Sequence, residues 1–597
     1  MRSGPPSIPP STPAPNPSPA SLPIGGALGP VTRRDILSRV VLGQRRRLGL
    51  AAVLFSLHQA GEALVPVLIG VVIDRAVTAG PDAGVDDLLL WLGVLGVVFI
   101  TLSLSYRFGA RRSEAAAEWA AHGLRLQLAG RVLHPRGGAE TDRLPGALAN
   151  IATSDAQRVG AINPALANGL AAIVAMLVGG IALVRVSLPL GLLVLIGGPV
   201  MLWLVHLLGK PLESRSEAQQ EQAAQASGVA ADLVTGLRVL KGIGAEDTAV
   251  SRYRRTSRES LTATLRAARA QAGYEGAILA MSGIFLAVVA FAGGRLALQG
   301  EISVGQLLAA VGLAQFLLGP LQVFAWVSSE LAQGRASAGR IAEVLGSPPA
   351  VGIGAGRASL PNSAPSAGAI RLRQLGHAGL RKLDLDIPAG ELLGVVAGDP
   401  ADGSALLRCL GREVDPDSGS VELDGVPLTD VDPDGVRAVV LVAAHDADLF
   451  GGTLLENVAA SAAVPQGRIH ATMAASGADE VGRVLPGGTG SVLAERGSNL
   501  SGGQRQRVAL ARALSADAAV LVLHDPTTAV DTVTEARIAA GIREIRRGRT
   551  TILITTSPAL LAVTDRVVVL TEGQIAAVGT HQRLIHENES YRTTVLT

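Results

Sequence analysis

Polar and apolar positions follow two different rhythms along this chain. In its first part, long apolar runs are set between polar, Arg-rich stretches. Residues 88–106, 159–184, 186–209, 276–294 and 302–329 contain no Asp, Glu, Lys or Arg. Each is close to or above the roughly 20 residues that a membrane-spanning helix needs. A sixth run, residues 48–73, is broken only by Glu62. Arg185 alone separates the third run from the fourth, with Ser187 and Pro189 beside it, so these two read as a tight helical hairpin. Six membrane helices are predicted, at about 48–75, 86–107, 159–184, 186–209, 275–296 and 302–330, in a region covering 33–344.

The rhythm changes after a Pro/Gly/Ser-rich linker at 345–368. Short β-branched runs, Leu392–Val396, Ala438–Val442, Ala519–Leu523 and Thr551–Ile554, then alternate with helical stretches. That alternation predicts an α/β domain over 369–597. The first 32 residues are rich in Pro and Ser and have no apolar core, so they read as a disordered tail and not as a secretory signal.

Composition supports the division. Hydrophobic residues make up 48% of the 597, charged residues only 17%, and mean hydropathy is +0.37, a balance that suits a membrane protein. The net charge of +2 says little, but its distribution orients the chain. Arg33, Arg34, Arg39, Arg45, Arg46 and Arg47 precede the first run, and cytoplasmic flanks carry the positive excess. The Arg-rich segments 107–158 and 210–275 belong on the same side, and an even number of spans returns the second domain there. An integral protein of the cytoplasmic membrane, with its N-terminus and α/β domain in the cytoplasm, is expected. The single cysteine, Cys409, excludes an intramolecular disulfide framework and reads as a buried small hydrophobe. Nothing in the charge pattern points to nucleic acid.

One segment carries sharp chemical information. Asn499-Leu500-Ser501-Gly502-Gly503-Gln504-Arg505-Gln506-Arg507 places a serine and two glycines at the start of a helix predicted from 502 to 514. Such a start, with uncovered amides and a hydroxyl, binds phosphate. The segment resembles the LSGGQ signature of ATP-binding-cassette (ABC) transporters. Glu495-Arg496-Gly497 before it is similar to the loop preceding that signature in exporters. Asp525-Pro526-Thr527-Thr528-Ala529-Val530-Asp531 is similar to the family's Walker B end and D-loop, and Val578-Gly579-Thr580-His581 to its closing strand and turn. In the first part, Gly236-Leu237-Arg238-Val239-Leu240-Lys241 and Gly244-Ala245-Glu246 resemble the second cytoplasmic loop of type I exporters, whose coupling helix docks on a nucleotide-binding domain. The resemblance covers about residues 33–590. It implies a six-helix membrane bundle with long cytoplasmic extensions, joined to an α/β domain of P-loop NTPase type. In the family the signature closes over ATP held by the facing domain, so Leu500, Ser501, Gly502, Gly503, Gln504 and Asp531 are expected to face a partner's nucleotide.

The residues that would hold this chain's own ATP depart from the pattern. G-x-x-x-x-G-K-[ST] needs a lysine on the phosphates and a hydroxyl on Mg²⁺. The chain reads Gly398-Asp399-Pro400-Ala401-Asp402-Gly403-Ser404-Ala405, with Ser404 in place of the lysine and Ala405 in place of the hydroxyl. A hydrogen bond to a charged group contributes about 1.5–3 kcal/mol, so the lost lysine alone should weaken binding roughly tenfold to a hundredfold. Asp399 and Asp402 are expected to add negative charge where phosphates would sit, leaving Gly398, Gly403 and Ser404 as a weak P-loop. By the same resemblance His524 replaces the Walker B carboxylate, Asp525 the catalytic Glu, His445 the Q-loop glutamine and Thr556 the switch histidine, and the adenine-stacking aromatic aligns near Gly379, within Gly376-His377-Ala378-Gly379. His445 and His524 read as drift, and no metal site is expected.

The chain thus keeps what it would lend to a partner and lacks what it would need itself. The resemblance implies the degenerate subunit of a heterodimeric exporter, whose partner supplies intact Walker motifs and whose composite site hydrolyses ATP with Mg²⁺. The cargo implied is a hydrophobic or amphipathic solute. An exporter-fold importer and a non-transporting regulatory partner are the alternatives. Within the spans, Glu62 with His58 four residues earlier on the same face is a candidate polar pathway, because intramembrane ionisable residues are costly. Gly236, Lys241 and Glu246 mark the expected coupling loop.

Overall fold

A computed structural model describes residues 31–77, 85–141, 143–352, 368–445, 448–459 and 464–596. The tail at 1–30 and most of the linker, 353–367, lie outside the described residues. The chain divides into two compact units. One runs to Ala129 and resumes over Pro145–Gly346; the other joins Gly130–Leu144 to Ser347–Thr597.

Among the described residues, six helices of the first unit are long and apolar enough to cross a membrane. They are Arg45–Val72, Val85–Val132, Ile162–Val186, Leu188–Thr235, Glu246–Leu298 and Val304–Leu345. In the second, fourth, fifth and sixth of these helices the apolar run occupies only one end. At about 1.5 Å per residue, the 53-residue helix Glu246–Leu298 is about 80 Å long, against a hydrocarbon core of about 30 Å. The charged stretches that flank these runs in sequence therefore continue the same helices into water. A single residue, Ser187, separates the third helix from the fourth, as the expected hairpin requires.

Small residues bring these helices close. Ala51, Ala52 and Phe55 of the first pack on Ala167 and Ala171 of the third, as in membrane packing generally, where small side chains let backbones approach. A second cluster, with Leu183, Leu190, Val289, Leu313 and Leu317, joins the third to sixth helices. Polar ties fix their ends. Asp74, just past the first helix, accepts hydrogen bonds from the Ser303 hydroxyl and from the Gly305 amide at 2.8 Å. It thereby supplements the Ser303–Gln306 capping box that opens the sixth helix. The buried Asp155 accepts from Ser337 at 2.9 Å and takes two bonds from Arg340 at 2.6 and 2.7 Å, tying the base of the third helix to the sixth.

The second unit is built on a six-stranded sheet in the order Gln574–Gly579, Arg566–Thr571, Leu392–Ala397, Thr550–Ile554, Val520–His524, Val440–Ala443. All neighbours are parallel except the first edge pair. Central strands covered on both faces read as unbroken apolar runs, and Leu392–Val396 is buried throughout. The expected strands coincide with the observed ones to within two residues. A four-stranded antiparallel sheet, Ile370–His377, Leu380–Ile387, Ser418–Leu423 and Val426–Pro427, lies over the Pro400–Leu410 helix, and both share one core. Residues 130–144, part of a cytoplasmic extension by sequence, pack with the start of this unit. Arg131 donates to the carbonyls of Gly137 at 2.9 Å and Ser347 at 2.8 Å, and Ala350 donates to the Arg136 carbonyl at 3.0 Å.

Candidate functional site

Ligands of parallel α/β sheets bind beyond the carboxyl ends of the strands. Four neighbouring strands of the large sheet end at Ala397, Ala443, His524 and Ile554. They are followed by the Gly398–Ala405 segment, His445, Asp525 and Thr556. Residues far apart in sequence are thus gathered along one edge. His445 and His524 meet at a ring-centroid distance of 6.3 Å, edge to face. His445 Nδ1 lies 3.4 Å from the Asp525 carbonyl, and His524 Nε2 lies 3.8 Å from an Asp525 carboxylate oxygen. Asp525 sits at a left-handed φ of 45°, with its amide donating to Ile554 O at 3.0 Å. Among the described residues, no group of three or more His, Cys, Asp or Glu could hold a metal ion. Thr556 is exposed.

The Gly398–Ala405 segment departs from its expected form. A P-loop interposes an uncoiled loop between strand and helix, yet here the helix begins at Pro400. Asp399 is its N-cap, accepting from the Ala401 amide at 2.8 Å. Gly403 lies inside this helix and is buried, so it cradles nothing. Ser404 donates its hydroxyl to the Pro400 carbonyl at 3.0 Å. Ala405 is 5% exposed and belongs to the hydrophobic core. These residues do not fit a Mg²⁺ ion: the methyl offers no oxygen and the hydroxyl is already committed. Of the two carboxylates expected near a phosphate position, Asp399 is exposed and Asp402 is committed within the fold. Asp402 is 4% exposed and accepts from the Gly573 amide at 3.0 Å. The helix start holds it against the Gly573 turn, in the wall of the cavity that Asp399 also lines.

The signature segment keeps its expected form. The Gly502–Ser515 helix opens on Ser501, whose hydroxyl accepts from Gln504 N at 3.3 Å while the Gln504 side chain accepts from Ser501 N at 2.8 Å. This capping box leaves the amides of Gly502 and Gly503, which have no carbonyl to reach within their own helix. Two roles shift. Leu500 is 5% exposed and anchors the loop in the core, so it offers no surface to a nucleotide. Gly503 is needed from within: a Cβ there would collide with the Ala529 carbonyl oxygen.

Sequence reading missed the braces behind this helix. Gln506 donates to the Thr528 hydroxyl at 2.7 Å and accepts from the Ala529 amide at 2.8 Å, fastening the D-loop to the signature. Glu480 joins Arg507 at 3.1 Å and Arg537 at 2.6 Å. The hydrogen bond from Arg537 is the main reason its carboxyl titrates below the usual range. Asp531 caps the Thr532–Ile545 helix through the Thr534 amide at 2.9 Å, and that bond lowers its pKa. The only sequence signal for these was the Arg-rich tail of the signature. A cavity of about 250 Å³ lies between the two halves of the site, walled by His445, His524, Gly502, Arg505, Gln506 and Thr528.

In the membrane unit, His58 Nε2 lies 3.6 Å from Glu62, and His58 Nδ1 lies 3.0 Å from the Leu102 carbonyl. The pair therefore also links the first two helices. Gly236 ends the fourth helix, Leu237–Gly242 forms a short helix carrying Lys241, and Glu246 begins the fifth. This turn exposes Val234, Leu237, Val239 and Ile243.

Two family models match the chain: the ABC transporter transmembrane region over residues 48–321 and the ABC transporter domain over 380–528. A multidrug efflux ATP-binding/permease protein of Mycobacterium tuberculosis is 31% identical over 568 residues, which is 93% of this chain and 46% of that protein. The chain therefore spans about half the length of that relative. The multidrug resistance-like ATP-binding protein MdlA of Escherichia coli is 27% identical over 566 residues, covering 92% of this chain and 93% of the relative. An ATP-dependent lipid A-core flippase of Thiobacillus denitrificans is 29% identical over 403 residues, 66% of this chain and 69% of the flippase. In fold the chain is similar to a bacterial Atm1-family ABC exporter solved with ATP bound, with a TM-score of 0.73 at 22% identity, covering 92% of this chain and 97% of the other. The chain belongs to the ABC transporters, with a transmembrane region and an ABC region fused in one polypeptide on the exporter fold.

Proposed function

We propose that this chain is the degenerate subunit of a heterodimeric ABC exporter. Its signature completes a composite site with the Walker motifs of a partner subunit, where ATP is hydrolysed with Mg²⁺, while its own P-loop is catalytically silent. The observation that carries this reading is the contrast at the sheet edge. Ser501 opens a helix with two free glycine amides, whereas the helix at Pro400 opens on a carboxylate and carries Ser404 and Ala405 where the P-loop needs Lys and a hydroxyl. The exposed apolar turn at Leu237–Ile243 supports docking of this loop on a nucleotide-binding domain, in this fold the partner's.

The cargo is a hydrophobic or amphipathic solute moved across the cytoplasmic membrane. The efflux and flippase functions named for the relatives above support that class. His58 and Glu62 are the candidate polar positions on its path.

Purification of the chain by itself tests the catalytic half of the reading. No vanadate-sensitive ATP hydrolysis above a vector control is expected, because a pairing of two copies supplies neither the lysine nor the catalytic Glu. Hydrolysis by the isolated chain would sink the proposal.

A further inference from the structure

In the P-loop pattern, backbone amides of an uncoiled loop face the phosphates. Here the helix starts at Pro400 and absorbs Ala401–Ala405, which the pattern assigns to the loop and the first residues after it. Pro400 has no N–H. The Ala401 amide goes to the Asp399 carboxylate at 2.8 Å, and the Asp402 amide goes to the Asp399 carbonyl at 3.1 Å. The first three helical residues therefore present no free donor. An anion is favoured at a helix N-terminus, and the chain supplies its own.

Asp402 closes the rest of the space. Its Oδ2 accepts from the Gly573 amide at 3.0 Å, and the Gly573 carbonyl accepts from the Arg381 amide at 2.9 Å. The helix start, the Gly379–Arg381 turn and the Gly573 turn are thereby knitted together. Asp402 Oδ1 lies so close over Gly379 that a Cβ there would collide with it. The resemblance puts the adenine-stacking aromatic near Gly379, and no side chain fits on Gly379 itself while Asp402 holds this place. A cavity of about 540 Å³ remains beside the helix start. Asp399, Asp402 and Glu572 line it against the single guanidinium of Arg381, so its walls repel a polyanion.

We infer that this P-loop is a self-occupied, nucleotide-free site. Asp399 caps the helix in place of a phosphate, and Asp402 locks the surrounding turns. Together with the function proposed above, on which this second step rests, it follows that the assembled transporter carries nucleotide only where this chain's signature meets the partner's P-loop.

The test is a titration of the purified full chain in nanodiscs with radiolabelled ATP by equilibrium dialysis. No saturable binding is expected up to about 5 mM, and the complex with its partner, trapped by vanadate, should hold one nucleotide, not two. Saturable binding by the wild-type chain below that limit, or two nucleotides in the trapped complex, overturns the inference. A Ser404→Lys variant should still bind nothing, because both carboxylates remain. The triple variant Asp399→Ser, Asp402→Gly, Ser404→Lys should bind saturably, with a Kd at least about tenfold below that limit of about 5 mM. Equal binding by the single and triple variants, or no gain in a folded triple variant, overturns the role given to the carboxylates. Should the triple variant fail to fold, the wild-type titration and the single variant decide. A chain that binds ATP without turning it over sinks this inference and leaves the proposed function standing. A chain that hydrolyses ATP alone sinks both.

Discussion

Two helix starts in the second unit pose the same physical problem and solve it in opposite ways. At Ser501 the unsatisfied amides are capped by neutral groups, a hydroxyl and a side-chain amide, and two glycine amides are left over. At Asp399 the cap is a carboxylate, the first helical residue has no amide, and the next two amides are bonded within the chain. The first start keeps its partial positive charge available to something outside, and the second neutralises it internally. The difference is a matter of very few side chains at the two caps. It teaches that losing a ligand site involves more than deleting ligand-binding groups. The orphaned helix end must be satisfied in some other way, and here it has been.

The largest expected effect comes from making the first start resemble the second. Gly502→Asp, assayed as steady-state ATPase of the assembled heterodimer, should reduce turnover about a hundredfold or more, the scale of losing a preorganised donor at a phosphoryl group. Ser501→Ala should also reduce it strongly, because the cap that orients the same amides goes with the hydroxyl. Next in size, Gln506→Ala should lower turnover roughly tenfold through loss of the D-loop tie, with Gln506→Glu, which keeps the acceptor for Ala529 but loses the donor to Thr528, falling between it and wild type. At the other start, Ser404→Ala and Asp525→Asn should change turnover by less than about twofold. If these two abolish activity while the signature variants stay active, the roles of the two ends are reversed.

A smaller effect concerns the support behind the signature helix. Glu480→Gln should lower the unfolding temperature of the chain by about 2 °C, as for a partly exposed ion pair. The folded-state pKa of Glu480 is depressed. Its contribution is therefore fully present above the ordinary Glu range and disappears as pH falls through the folded value. Wild type and variant should converge in thermal unfolding at acid pH, and a difference that grows on acidification would contradict the pairing. Least of all should Cys409 respond to labelling. It is 2% exposed and burial pushes its thiol up to about 12, so maleimide at neutral pH should leave the native chain unmodified. A cysteine placed at the exposed Val239 can then be tested for cross-linking to the partner's nucleotide-binding domain without background. Cross-links found only within this chain would refute the swapped docking of the coupling loop.

Much of this protein was legible in one dimension because the deciding forces are local in sequence. Six apolar runs, five of them free of charge, predict six apolar helices, since a bilayer offers the backbone no partners other than its own. The strand runs predict the large sheet because a doubly covered strand must be apolar at every position. The signature and its capping box follow from residues three apart on one turn. Even the missing lysine and hydroxyl at Ser404 and Ala405 are plain in the sequence. What replaced them was not. That Asp402 turns inward to the Gly573 amide depends on a turn 171 positions away. The braces from Gln506 to Ala529, from Glu480 to Arg537 and from Arg131 to Ser347 likewise join residues that share no local period. The distinction between a charge that repels a ligand and a charge that serves the fold is set by where an early helix start points each side chain. Residue types decide which groups the chain has to satisfy, and only the packed structure decides which neighbours satisfy them.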